Sequence, residues 1–288
     1  MITLKSLLIS LTVFSTVFAC SERFFRGDAI IEKSPETVIN SEEGFLSLYN
    51  GIDMSNWNLL CRDNEEGLAE RVFTAGENGE LHVFKDFPDE YGYKENRSGT
   101  HCMFFTPKKY SRYIFRFEYK WGEKRFNNFD QFQYDAGLYF HVYDVKIWPK
   151  GIEYQVRYDH TQKLNHTGDI WNSGAGFDWV ASDENTYLPL AEGGRVQKRR
   201  GGEHRARSGI DFNALNGKWN QCELIVMADE YAIFKLNGQV VNVLTNMDLS
   251  EGEIGLQAET AEIYYRNIKI KEFKKFIPIE DFLKEGQH

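Results

Sequence analysis

The run from Tyr113 to Trp121 constrains this chain more than any other segment, because apolar and polar side chains alternate along it with a period of two. Phe115, Phe117, Tyr119 and Trp121 fall on one face, and Arg116, Glu118 and Lys120 on the other. A helix would scatter both sets, so the segment reads as a strand with one face against a core. Partners for it are written further along. Leu224 to Ala228 and Tyr231 to Leu236 flank Asp229-Glu230, and Asn237-Gly238 separates the second of these from Val240 to Leu244. Asn-Gly accepts positive φ at both central turn positions, so the three segments read as a meander. A last strand, Ala261 to Phe273, follows Gly252 to Leu256. Many short antiparallel strands of this kind predict an all-β sandwich. Helix signals are confined to the tail, where Pro278 precedes Glu280 to Lys284 and Gly286 follows.

Between Phe45 and Phe273 there is neither an internal repeat nor a Pro-rich linker, which makes a single domain over residues 44–273 the simplest organisation, with 274–288 as a tail. Hydrophobic residues make up 42% of the 288, enough to bury a sizeable core. The net charge of −9 argues against nucleic acid, which requires a cationic footprint. No nucleophile elbow, phosphate-binding glycine loop or dinucleotide fingerprint is present, so no nucleotide cofactor is indicated.

The N-terminus reads as a targeting segment. Lys5 precedes the apolar run Leu7 to Phe18, which is too short to span a bilayer but has the length of a signal-peptide core. Val17-Phe18-Ala19-Cys20 resembles a bacterial lipobox. That predicts a signal peptide over 1–19, lipidation of Cys20 and a polar tether over 20–43, with ordinary secretory cleavage as the alternative. The expected location is the periplasm or outer membrane of a bacterium, with membrane contact through the lipid alone. Of the remaining cysteines, Cys61 and Cys102 form a candidate disulfide, and Cys222 opens an apolar run as a buried strand thiol.

Two segments carry the candidate chemistry. In Gly137 to Tyr143, Leu138, Phe140 and Val142 alternate inward, which projects Tyr139, His141 and Tyr143 onto the opposite face. In Ile152 to Tyr158, the same geometry gathers Glu153, Gln155 and Arg157. On neighbouring strands these faces merge into a patch that hydrogen-bonds sugar hydroxyls and stacks on sugar rings. The loop-like run Asn165 to Asn172 brings Asp169 and Trp171 within reach, making Glu153 and Asp169 a candidate carboxylate pair. His141, His160 and His166 with these carboxylates leave a divalent cation open, although no tight ligand motif is present. Arg195 to Arg207 reads as a flexible basic loop.

Several segments together resemble one family. Leu48 to Trp57 is similar to the "LFNGKDLSGW" opening of the 3-keto-disaccharide hydrolase family, common among secreted bacterial proteins. Gly137 to His141 matches its "SGIFFR" strand and Ile152 to Val156 its "YEVQI" strand. Gly168 to Trp171 matches "GDFW", Trp219-Asn220 matches "WN", and Gly255 to Gln257 with Tyr265 to Ile270 matches "GLQ…FRNIRIK". The sequence departs from the family at His141, where the strand carries Arg, and at Glu259, where many members have His-Gly.

The resemblance implies a concanavalin A-like jelly-roll sandwich and a carbohydrate-active enzyme that cleaves 3-keto-glycosides. A ketone at C3 acidifies the C2 hydrogen, so a base removes it and the C1 substituent leaves by β-elimination, with hydration giving net hydrolysis. The implied roles are Glu153 or His141 as base and Asp169 as acid or metal partner. Gln155, Arg157, Gln257, Glu259 and Arg266 would position hydroxyls, and Tyr139, Trp171 and Trp179 would stack on the sugar. The rival expectation is a non-catalytic carbohydrate-binding lipoprotein on the same fold.

Overall fold

The computed structural model describes residues 39–40, 44–63, 66–87, 101–127, 129–198 and 202–283, and places their strands in two antiparallel sheets. The expected signal peptide, Cys20 and nearly all of the tether lie outside the described residues.

The first sheet is built on the alternating segment. Arg112–Arg125 is flanked on one edge by Ala261–Glu272 and on the other by Asn220–Met227. The meander follows in register, Asn220–Met227 to Tyr231–Leu236 to Gln239–Thr245, and Asp178–Ala181 and Arg195–Lys198 complete that edge. Asn237 and Gly238 have φ of 49° and 80°, the left-handed pair that a two-residue hairpin requires. Phe115, Phe117, Tyr119 and Trp121 all lie in the core, as the period of two dictates.

The second sheet runs Gly202–His204, Ile170–Ser173, Lys150–Asp159, Tyr134–Asp144, Glu253–Ala258, Cys102–Phe105 and Asn58–Cys61. Leu138, Phe140, Ile152, Tyr154 and Val156 face the first sheet and close the sandwich. Tyr154 stacks on Phe234 of the opposing sheet at 4.6 Å with planes 3° apart. Burying side chains of this size stabilises the fold by about 1.5–3 kcal/mol each. Cys61 and Cys102 occupy directly opposed positions on adjacent strands and are disulfide-bonded, whereas Cys222 is a buried free thiol. The tail forms the helix Ile279–Leu283, with Phe282 buried.

Two segments expected as loops are strands. Ile170–Ser173 pairs with Lys150–Asp159, and the basic segment divides between the sheets. Arg195–Lys198 joins an edge of the first sheet, and Gly202–His204 joins an edge of the second. Charged side chains at both ends fit strands that close sheet edges, where they discourage further pairing.

Candidate functional site

On its outer face, the second sheet carries a pocket of about 390 Å³ lined by Asp135, Tyr139, Trp148, Glu153, Gln155, Arg157, Trp171, Gln257 and Glu259. Strand register explains the grouping. Tyr139 is paired with Glu153 and Glu153 with Trp171, while Gly137 faces Gln155 and Asp135 faces Arg157. Successive rows of one sheet face therefore stack into a single wall. Gln257 and Glu259 enter from the far side, at the end of Glu253–Ala258.

The floor is a buried carboxylate. Glu153 is only 3% exposed, and burial pushes its carboxyl up to about 8. The Tyr139 hydroxyl donates to it and the Arg157 charge favours ionisation, but the neighbouring Glu259 charge adds to the rise. Asp135 is held well above the carboxylate range by burial first and then by Glu259 and Glu153, against the opposing pull of Arg157. Three acids thus share a pocket with one guanidinium, and the cheapest state at neutral pH retains protons.

Gly137 makes room for that carboxyl. A Cβ there would lie 2.0 Å from Glu153 Oε1 and 2.8 Å from Gln257 Oε1. Gly137→Ala is therefore expected to displace the Glu153 side chain while leaving the strand paired. Steady-state turnover should fall about 10²-fold, the cost of misplacing a reacting group by about 1 Å, with little change in Tm.

The pocket is rich in unpartnered acceptors. Gln155 Oε1, Gln257 Oε1 and Asp135 Oδ1 are buried without a hydrogen-bond partner in the protein. Such atoms cost free energy unless a ligand donates to them, and sugar hydroxyls are donors of that kind. Trp148 and Trp171 flank them, 42% and 43% exposed, where most indoles would be covered.

Four expected site residues lie elsewhere. His141 has φ of 51° at a β-bulge, where one extra residue separates its strand from the register with Glu253–Ala258. The bulge inverts the alternation, so Val142 joins Tyr139 on the outer face and the His141 imidazole turns into the core. There its Nε2 lies 3.0 Å from the Ala228 carbonyl, and burial lowers its pKa to about 4. Trp179 is a core residue whose Nε1 donates to Asn242 Oδ1. Arg266 belongs to the first sheet, pairs with Glu118 at 2.7 Å and covers Trp219. Asp169 is buried behind the pocket, accepting from the Ala206 amide at 2.7 Å and contacting His166 Nδ1 at 2.9 Å.

The sequence reading missed Asp135 and Trp148. Asp135 was legible, since it lies two and four residues before Gly137 and Tyr139 in the same alternation. Trp148 follows the strand in a turn with φ of 52°, and no sequence pattern marks it.

Among the described residues, one cluster offers ligand atoms for a cation. Ligand atoms of His166, Asp169 and Glu203 lie within 4.8 Å of one another. Guanidinium groups already fill the space. Arg157 pairs with Glu203 and approaches Asp169 at 3.7 Å, while Arg205 reaches Asp169 at 3.3 Å and His166 Nε2 at 3.2 Å. Two fixed cations neutralise the two carboxylates, so this set does not fit a divalent ion.

Comparison with known proteins bears on this geometry. No curated protein sequence matches the chain. Among solved structures, one described as a candidate glycosyl hydrolase from Parabacteroides distasonis aligns with a TM-score of 0.50 at 18% identity, covering 83% of this chain and 99% of that one. A second from the same organism gives 0.46 at 16% identity over 80% and 99%. A β-glucanase from Bacillus licheniformis gives 0.42 at 9% identity over 80% and 97%. The two sheets form the concanavalin A-like jelly roll. A family model, that of the 3-keto-alpha-glucoside-1,2-lyase-like domain, matches residues 44–271. With most of its length matched, the chain belongs to the 3-keto-alpha-glucoside-1,2-lyase-like family.

Proposed function

We propose that the protein cleaves 3-keto-glycosides by removing the C2 hydrogen and expelling the C1 substituent, acting as a secreted bacterial lipoprotein anchored through Cys20. The observation that carries this reading is the buried Glu153 carboxyl, raised to about 8, beneath unpartnered acceptors and between two exposed indoles. A pocket built only to bind has no need for a proton acceptor of that kind. Near-neutral basicity suits a C2 hydrogen acidified by the adjacent ketone. Trp148 and Trp171 hold the sugar ring, and Gln155, Gln257 and Asp135 accept from its hydroxyls. Arg157 supplies the positive charge that stabilises the enolate oxygen.

The test is aglycone release, followed by mass spectrometry, from a panel of 3-keto-glucosides and their unoxidised parents, each with and without chelator. Release from the keto forms alone is expected, at rates that chelator leaves unchanged. Because Glu153 must be ionised to act, kcat/KM should rise with pH and level off above about 8. Binding without release from either set would replace this reading with that of a sugar-binding lipoprotein.

A further inference from the structure

We propose that Glu259 and His101 form a second proton-transfer pair, with Glu259 protonating the departing glycosidic oxygen and His101 holding and resupplying that proton. The inference rests on the elimination reading above. It starts from a requirement of the chemistry, since the proton leaves C2 while the leaving oxygen on C1 needs one, and a single carboxyl cannot serve both at once.

Glu259 is placed for the second task. It lines the same pocket as Glu153. Their strands flank Tyr134–Asp144 on opposite edges, with Gly255 in the row of Tyr139 and Glu153, so Glu259 stands four residues further along, toward the Asp135 end of the pocket. Both line the one pocket, and the Glu259 charge adds to the rise of the Glu153 carboxyl. A substrate ring seated between them presents C2 to one and the C1 oxygen to the other.

His101 backs Glu259, with Nε2 2.7 Å from Oε1 and only 6% of the residue exposed. Its position is fixed on several sides. Cys102, the next residue, is tied to Cys61, and the His101 carbonyl accepts from the Arg62 amide at 2.9 Å. The Trp148 ring meets the imidazole edge-on at 4.6 Å, and the Arg62 guanidinium covers the other ring at 4.9 Å. A histidine so held against a pocket carboxylate is positioned to share its proton.

Glu153 takes the C2 proton, the electron pair passes through the enolate into a C1–C2 double bond, and the C1–O bond breaks toward the aglycone. Glu259 gives its proton to that oxygen and recovers one from solvent through His101, while Glu153 returns the C2 proton to solvent. The products are an unsaturated 3-keto sugar and the free alcohol, which hydration of the double bond converts to net hydrolysis.

The test uses leaving groups of different acidity in the full-length protein. Glu259→Gln and His101→Gln should each lower kcat at least ~10²-fold on methyl 3-keto-glucoside but less than about 5-fold on 4-nitrophenyl 3-keto-glucoside, whose aglycone leaves unassisted. Exchange of the C2 hydrogen with deuterated solvent, read by NMR, should persist in both variants. Glu259→Asp should recover part of the rate if proton donation is its role. Equal losses on both aglycones, loss of C2 exchange, or no loss at all would overturn the pair while leaving the elimination reading intact. A wild-type protein that neither exchanges C2 nor releases aglycone would overturn both.

Discussion

Glu153→Gln is expected to abolish turnover, by about 10³-fold or more, and at the same time to make the protein more stable. The two effects share one cause. In the folded protein, burial raises the carboxyl to about 8, from 4.5 in an ordinary environment. Below about pH 4.5 both the folded and unfolded forms hold the proton, and this group contributes no pH dependence. Between 4.5 and about 8 the unfolded chain releases its proton and the folded chain keeps it, so folding takes up a proton and stability falls as pH rises. Above about 8 the whole cost of burying the charge has been incurred. Glutamine has the shape of the protonated acid and never ionises. The variant's advantage should therefore be absent at pH 4.5, grow through the window and level off above 8, reaching about 5 kcal/mol. Denaturant melts of both proteins at pH 4.5 and 8.5 read it directly. A variant that is inactive but no more stable at pH 8.5 would mean that Glu153 is not held in the desolvated state on which the mechanism depends.

That conflict between stability and activity bears on what the sequence could reveal. The fold was legible because its signals are local and redundant. The alternation from Tyr113 to Trp121, the Asn237-Gly238 turn and the apolar meander each point to the same sandwich. The floor of the site was legible for a related reason, since Tyr139, Glu153, Gln155 and Arg157 occupy polar positions on strands whose other face is core. What failed was alternation across an irregularity. His141 takes a left-handed φ that its residue type does not announce, and one extra residue there turns the imidazole inward and Val142 outward. Trp179 and Arg266 failed differently, because both lie in the first sheet and strand order in space is not written in the spacing of motifs. His101 reaches the site only through the pairing of Asn58–Cys61 with Cys102–Phe105 and of the latter with Glu253–Ala258, a contact between residues far apart in sequence.

The second large effect is expected at Arg157, where removing the guanidinium should cost stability as well as activity. Its side chain is 10% exposed, lies over the Phe132 ring at 4.0 Å and approaches Asp135, Asp169 and Glu203. Truncating one partner of a buried charge cluster typically costs ~3–5 kcal/mol, because the remaining charges lose their compensation while staying out of water. Here the loss should fall unevenly. Asp169 keeps Arg205 at 3.3 Å, His166 and the Ala206 amide, so it remains compensated. Glu203 loses the guanidinium it pairs with, and Asp135 loses the positive charge that draws its carboxyl downward. Arg157→Met should therefore lower stability by about 3 kcal/mol or more, and by less once the pH is low enough that Asp135 carries its proton in either protein. Adding Glu203→Gln should restore a large part of that loss, whereas adding Asp169→Asn should restore little, since it removes a charge that is still paired. A lysine at 157 should not substitute, as one ammonium cannot bridge three separated carboxylates in the way the planar fork does. The double-mutant cycles distinguish this arrangement from one in which Arg157 merely packs on Phe132. In that case neither second substitution would recover anything, and the loss would not vary with pH.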